Sequence, residues 1–174
     1  EVENVSELID DVLFLSELET GRQVVALGST EVLPVLQEVV AQLGESAARA
    51  GLKLRASGEA RLSVPMRQRM LRVIVENLAT NAIRYAGDGA TFSLSVHRAE
   101  GGIVLEASDD GTGVSEADLS RLFERFYRAD RARSTRGTGL GLAIVKHVVG
   151  SAGGELVATG APGQGLRIRC VFPE

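Results

Sequence analysis

Arg136-Gly-Thr-Gly-Leu-Gly-Leu-Ala-Ile-Val-Lys-His-Val-Val149 sets three glycines at alternate positions directly ahead of an apolar helical pattern. A glycine backbone lacks a Cβ, so it can take up φ > 0 and lie close to a ligand, and the first turn of a helix has N–H groups with no partner inside the helix. Gly137, Gly139 and Gly141 at such a junction favour phosphate, with an ordinary loop and helix start as the plain alternative. The spacing excludes two commoner phosphate loops. Lys146 is followed by His147, not the Ser or Thr of a P-loop, and G-x-G-x-G is not the G-x-G-x-x-G of a dinucleotide site.

Composition narrows the classes further. A chain of 174 residues is long enough for one well-cored domain with an appendage, and its net charge of −4 gives no electrostatic support for nucleic-acid binding. Cys170 is the only cysteine, so no intrachain disulfide is possible; its alternating context predicts a small core residue in a strand. No apolar run approaches the roughly 18 residues of a membrane span.

Working outward, the helix expected over about Met66–Ala86 carries a second constellation. Leu71, Ile74, Leu78 and Ala82 form a core stripe, whereas Asn77, Asn81 and Tyr85 recur at i, i+4 and i+8 and share a neighbouring face, with Glu76 and Arg84 beside them. Asparagine is a mediocre helix former, so two on one line call for a reason. A solvated polar stripe is one; a site is the other, because amide oxygens suit a hard cation such as Mg²⁺ that takes its remaining ligands from water and phosphate.

The next two segments alternate as strands. Phe92, Leu94 and Val96 face inward while Ser93, Ser95 and His97 face outward; Ile103, Leu105, Ala107 and Asp109 then share one face. Asp109 thus ends an apolar stripe and must find donors there. The exocyclic amine of a purine is one, and a local Asx-turn or helix cap is the alternative. Ser115-Glu-Ala-Asp118 reads as a variant capping box opening a short helix.

Leu119, Leu122, Phe123, Phe126 and Tyr127 are expected as an aromatic helical patch, surrounded by Arg121, Arg125, Arg128, Arg131, Arg133 and Arg136. Such a run reads either as a solvated charged helix and loop or as a lid whose arginines meet phosphate. His147 is expected to pack and His97 to be solvated; neither belongs to an H-E-x-x-H zinc pattern.

Elsewhere, Val5, Leu8, Val12 and Leu15, widened by Val2, Ile9 and Leu18, form a helix seam stopped by Gly21. A strand is expected at Val24–Leu27, then a helix from about Glu31 to Ala50 capped by Ser29 or Thr30 and stopped by Gly51. Strands Leu52–Ala56 and Ala60–Val64 are expected to follow across a Ser57-Gly58 turn, with Pro65 opening the next helix. Gly154–Thr159 and Gly165–Phe172 close the chain as strands. The mixture of strands and helices, with neighbouring β-β pairs, predicts an α/β two-layer sandwich.

Four blocks in this order resemble the catalytic and ATP-binding domain of bacterial two-component sensor histidine kinases, in the GHKL ATPase superfamily. Glu76–Tyr85 resembles the N box, Asp109-Asp-Gly-Thr-Gly113 the G1 box, Leu122–Tyr127 the F box and Gly137–Ile144 the G2 box, with Gly163-Gln-Gly165 similar to the terminal glycine motif. The resemblance covers residues 22–174 and implies a mixed sheet packed on three main helices that binds ATP and Mg²⁺. Asn81 would ligate the metal, Asn77 and Arg84 would lie beside the phosphates, and Tyr85 would flank the nucleotide. Asp109 would take the adenine amine with room made by Gly111 and Gly113. Arg136, Gly137, Thr138, Gly139, Leu140, Gly141 and Leu142 would form the lid hinge and phosphate amides. Glu76 matches an acidic position that activates water in some relatives, which makes Glu76, Asn77 and Arg84 the catalytic candidates.

The same resemblance implies partners. Residues 1–21 look like the end of the second helix of a dimerisation and phosphoacceptor hairpin, so the acceptor histidine is expected upstream, on the chain's own or a partner subunit. A response regulator would receive the phosphoryl group, the parent would be a homodimer, often membrane-anchored with this domain in the cytoplasm, and the fragment by itself a monomer. Asp110 and Thr112 depart from the Asn and Pro usual in the G1 pattern, which is expected to loosen that loop. The alternatives are an ATP-driven conformational clamp and a nucleotide-binding docking domain without kinase activity.

Overall fold

The computed structural model describes residues 2–22, 24–99, 101–128 and 137–174, with side chains from residue 5 onward. In chain order the elements are α1 (Val2–Glu19), β1 (Thr30–Glu31), α2 (Val32–Arg49), β2 (Lys53–Gly58), β3 (Ser63–Val64), α3 (Gln68–Tyr85), β4 (Thr91–Ala99), β5 (Gly102–Asp109), α4 (Glu116–Leu119), α5 (Gly141–Ser151), β6 (Glu155–Gly160) and β7 (Leu166–Pro173).

One mixed sheet runs in the order β2-β4-β5-β7-β6, with β2 and β4 parallel and the other neighbours antiparallel. Its register explains the two faces. Ala56, Leu94, Ala107, Ile168 and Ala158 align across all five strands and turn inward, whereas the adjacent row Arg55, Ser93, Ser108, Arg167 and Thr159 has the opposite parity. The inward face packs under α2, α3 and α5 in a single apolar cluster that includes Leu36, Leu71, Ile74, Ile144, Val148 and Phe172. This is the expected two-layer α/β sandwich. Cys170 is fully buried in it, and burial alone pushes its thiol up to about 12.

Several local expectations fail for physical reasons. Val24–Leu27 is not a strand: Val25 is buried, Val24 and Leu27 are exposed, and the short ladder here pairs Thr30–Glu31 with Ser63–Val64 instead. Ser57-Gly58 is no hairpin turn, because β2 continues through Gly58 and pairs in parallel with β4, a register that buries Leu54 and Ala56 beside Phe92 and Leu94. Thr30 does not cap α2; its hydroxyl donates to the Met66 carbonyl at 2.7 Å, and Glu31 occupies the cap position without a side-chain bond. The helix after Pro65 begins only at Gln68.

At the N-terminus the expected seam is mostly exposed. Leu15 and Leu18 join the core, but Val5, Leu8, Ile9 and Val12 face solvent, because α5 offers a packing surface only to the last turns of α1. Among the described residues, no helix is long and apolar enough to cross a membrane.

Candidate nucleotide site

The polar stripe of α3 arises because its apolar stripe is consumed by the core. Leu71, Ile74, Val75, Leu78, Ala79 and Ala82 are buried, which turns Glu76, Asn77, Thr80, Asn81, Arg84 and Tyr85 onto the flank. That flank is one wall of a cavity of about 640 Å³, a size suited to a nucleotide. The start of α5 forms the facing wall through Gly137, Thr138, Gly139, Gly141 and Leu142, and Gly113 closes one side.

Asn77 donates its amide N–H to the Val73 carbonyl at 2.7 Å, one turn back, which fixes its oxygen toward α5. A Cβ at Gly141 would lie 2.9 Å from Asn77 Oδ1, so a larger residue where the two helices cross would displace that amide. Of the three alternate glycines only Gly139 has a positive φ, +75°. Its carbonyl accepts from the Phe126 N–H at 2.8 Å, and Phe126 itself has φ 63°. Leu140 N–H donates to Thr138 Oγ1 at 3.1 Å, a local cap for the α5 entry.

The segment from Ser120 onward is a series of turns around this crossing, in place of the expected aromatic helix. Leu122 and Phe123 pack on the core while Phe126 is 59% exposed. Left-handed backbone at Phe126 ends any helix there. Arg121 pairs with Glu124 and lies over the Tyr127 ring at 4.3 Å. Arg131, Arg133 and Arg136 fall outside the described residues.

Asp109 and Gly111 are not on the cavity wall. Asp109 lines a second, open depression with Arg55, Ser93, Ser108 and Arg167, and Leu166 borders both. Desolvation on burial raises its carboxyl above the ordinary range, partly offset by N–H groups of Gly111, at 2.9 Å, and Leu166 and reinforced by the negative charge of Asp110. Gly111 is required by packing, since a Cβ would sit 1.9 Å from the Ala86 carbonyl oxygen.

The two departures in this loop are both hydrogen-bonded. Asp110 Oδ1 accepts from Thr91 N–H at 2.7 Å. Thr112 donates its N–H to Ala86 O at 2.9 Å and its hydroxyl to Tyr85 O at 3.1 Å. Gly163 and Gly165 then donate N–H groups to the Thr112 and Gly111 carbonyls. The expected cap at Ser115 is present and accepts from Asp118 N–H at 3.2 Å.

Sequence reasoning missed several cavity residues: Thr80, Asp118 and, from the far N-terminus, Glu7 and Asp11; Tyr127 and Arg128, named in the lid patch, also line the cavity. Thr80 was legible in principle, lying on the same helix flank as Asn77. Glu7 and Asp11 were not, because nothing local connects them to residues more than 60 positions away.

Elsewhere on the flank, Arg72 binds Glu76 at 3.2 Å and also Glu38 at 2.6 Å and Gln42 at 2.8 Å on α2. His147 borders a separate open groove with Lys146, Arg125 and Leu15. Among the described residues no group of three or more His, Cys, Asp and Glu is placed to hold a metal.

The family described as histidine kinase-, DNA gyrase B-, and HSP90-like ATPase matches residues 66–174, and the chain belongs to it. Within that class it is similar to the sensor-like histidine kinase SenX3 of Mycolicibacterium smegmatis, 32% identical over 176 residues that cover 100% of this chain and 46% of that protein. Two solved structures share the fold. The mycobacterial sensor histidine kinase MprB gives a TM-score of 0.72 at 28% identity, covering 84% of this chain and 97% of that one. Full-length ShkA in complex with AMPPNP gives 0.81 at 27% identity, covering 96% of this chain and 35% of that one. The chain spans less than half the length of its curated relative SenX3.

Proposed function

We propose that this chain is the ATP-binding catalytic part of a sensor histidine kinase, which transfers the γ-phosphoryl group of ATP to a histidine on a dimerisation hairpin. The observation that carries the reading is the single cavity in which Asn77, Asn81, Arg84 and Tyr85 of α3 face Gly137–Leu142 at the start of α5. Phosphoryl transfer needs positioning and charge neutralisation far more than a protein nucleophile, and this wall supplies amides, a guanidinium and unpaired helix N–H groups.

In this reading Arg84 and the α5 N-terminus hold the phosphates, Tyr85 flanks the nucleotide, and Asn77 orients the phosphate chain. Asn81 would hold Mg²⁺, an ion that takes most of its other ligands from phosphate and water. The ion supplies neutralisation of charge on the phosphate oxygens. Glu76, gripped by Arg72, stands ready to accept a proton from the acceptor imidazole. Asp109, in the neighbouring depression that shares Leu166 with this cavity, would take the adenine amine.

Residues 1–21 act as the end of the hairpin's second helix and residues 22–174 as the catalytic domain. The exposed Val5, Leu8, Ile9 and Val12 are the face a hairpin partner and a second subunit would cover in a homodimeric, membrane-anchored parent that passes phosphate to a response regulator. The test is to incubate the chain with radiolabelled ATP and Mg²⁺, alone and with a hairpin carrying an acceptor histidine. Labelling of the hairpin only is expected; stable labelling of His97 or His147, or none with the hairpin present, rejects the proposal.

A further inference from the structure

Two carboxylates of α1 stand where the proposed function places the nucleotide's phosphates. Glu7 and Asp11 are one helical turn apart and so point the same way, into the cavity. Asp11 Oδ2 accepts from the Thr138 hydroxyl at 2.7 Å, and that hydroxyl is oriented by the Leu140 N–H at its own oxygen. Glu7 Oε2 lies 3.7 Å from Arg84 NH2. Each acid thereby takes a group assigned to phosphate, one on each wall.

We propose that Glu7 and Asp11 are affinity-determining residues that compete with nucleotide phosphate, so that α1 in this docked position holds the site in a low-affinity state. The inference rests on the function proposed above and concerns regulation of the same site.

The rest of α1 shows how the competition can be reversed. Leu15 and Leu18 anchor the last turns in the core, and Glu19 pairs with Arg125 beside them. N-terminal to Phe14, which packs partly on the core, the described large apolar side chains Val5, Leu8, Ile9, Val12 and Leu13 are exposed, so Glu7 and Asp11 supply the described hold of these turns on the site. Partly exposed ion pairs and hydrogen bonds of this kind are weak singly, and a polyphosphate bearing several negative charges cannot share the space with two carboxylates. Phosphate binding must therefore lift the first turns of α1 about an anchor near Leu15, and a partner that captures the exposed face of α1 raises nucleotide affinity by the same linkage.

Calorimetric titration of the whole chain with a non-hydrolysable ATP analogue and Mg²⁺, and separately with adenosine, tests the competition. The double variant Glu7→Gln, Asp11→Asn is expected to bind the analogue roughly three- to tenfold more tightly than the wild type, with adenosine affinity unchanged. A remote charge-matched control, Glu45→Gln with Glu59→Gln, is expected to leave both affinities unchanged. Unaltered or weaker analogue binding by the cavity variant, an equal gain for adenosine, or an equal gain in the control overturns the proposal. Hydrogen exchange on the unaltered chain is the second measurement. Amides of residues 5–13 should exchange faster with the analogue than with adenosine, and equal protection would also overturn it. If the wild type binds no nucleotide at all, the function itself fails; if it binds but the variants behave alike, only the competition does.

Discussion

The two ends of the candidate site satisfy their polar groups in opposite ways. At the α3–α5 end, Arg84 and Thr138 are met by Glu7 and Asp11, side chains from a helix with little other hold there. At the Asp109 end, the carboxylate is met by the backbone N–H groups of Gly111 and Leu166, inside a loop stitched to Ala86 and to the 161–165 turn. A partner on a separate element can be exchanged for a ligand at modest cost, whereas backbone donors fixed by neighbouring strands cannot leave without local unfolding. The first end is therefore built to switch and the second to stay.

The largest expected effect comes from breaking the fixed end. Gly165 has φ +73°, and a Cβ there would lie 1.9 Å from the Asp109 carbonyl oxygen. Gly165→Ala is expected to destabilise the fold by about 2–5 kcal/mol, left-handed strain plus steric overlap, measured by urea unfolding. A loss below about 1 kcal/mol would mean that the loop relaxes freely and the contrast is false.

At the switching end the leading effect should be on binding alone. Asn81→Ala is expected to remove Mg²⁺-dependent protection by ATP in thermal melting while leaving the melting point of the free chain within a few degrees, because Asn81 is only half-buried on the cavity wall. Retained protection would remove Asn81 from the metal's ligands.

A smaller, pH-dependent effect is expected at Asp11. Its carboxyl is raised by desolvation first, with Glu7 and Asp10 adding in the same direction and the Thr138 bond and Arg84 acting against them. A folded-state value above the unfolded one means that the folded chain holds the proton more tightly. Stability contributed by that proton is full below the ordinary carboxylate range and is lost as pH rises through the folded-state value. Asp11→Asn should thus gain on the wild type in melting point over that interval, and a constant difference across it would show that Asp11 is not desolvated.

The smallest effect sharpens the account of the loop. Thr112→Pro restores the residue usual in the G1 pattern but deletes the N–H donated to Ala86 and the hydroxyl donated to Tyr85. A loss of about 1 kcal/mol in unfolding free energy is expected. Stabilisation would show that the loop gains more from a restricted backbone than from those two bonds.

Much of this was legible because it is periodic. The α3 stripes, the alternation in β4, β5 and β7, and the Ser115 cap depend on residues within a few positions of one another, and each is where the pattern puts it. What failed depended on pairing. Val24–Leu27 has strand-forming residues but folds back on itself through the Leu27 N–H to Val25 carbonyl bond, and Leu119–Tyr127 has helical spacing but is bent by the crossing of Phe126 with Gly139. That Asp109 lines a neighbouring depression and not the cavity of Asn77 and Asn81 was likewise invisible, since it depends on packing between segments distant in sequence.

By itself, the amino-acid order determined the two-layer class, the identity of the apolar stripes and the residue types gathered on one flank of α3, because hydrophobic burial and local hydrogen bonding act at fixed short intervals. Only the tertiary structure decided that Glu7 and Asp11 enter the cavity and that Asp109 lines the neighbouring depression. Contacts between distant segments depend on how whole elements pack, and no interval along the chain encodes that.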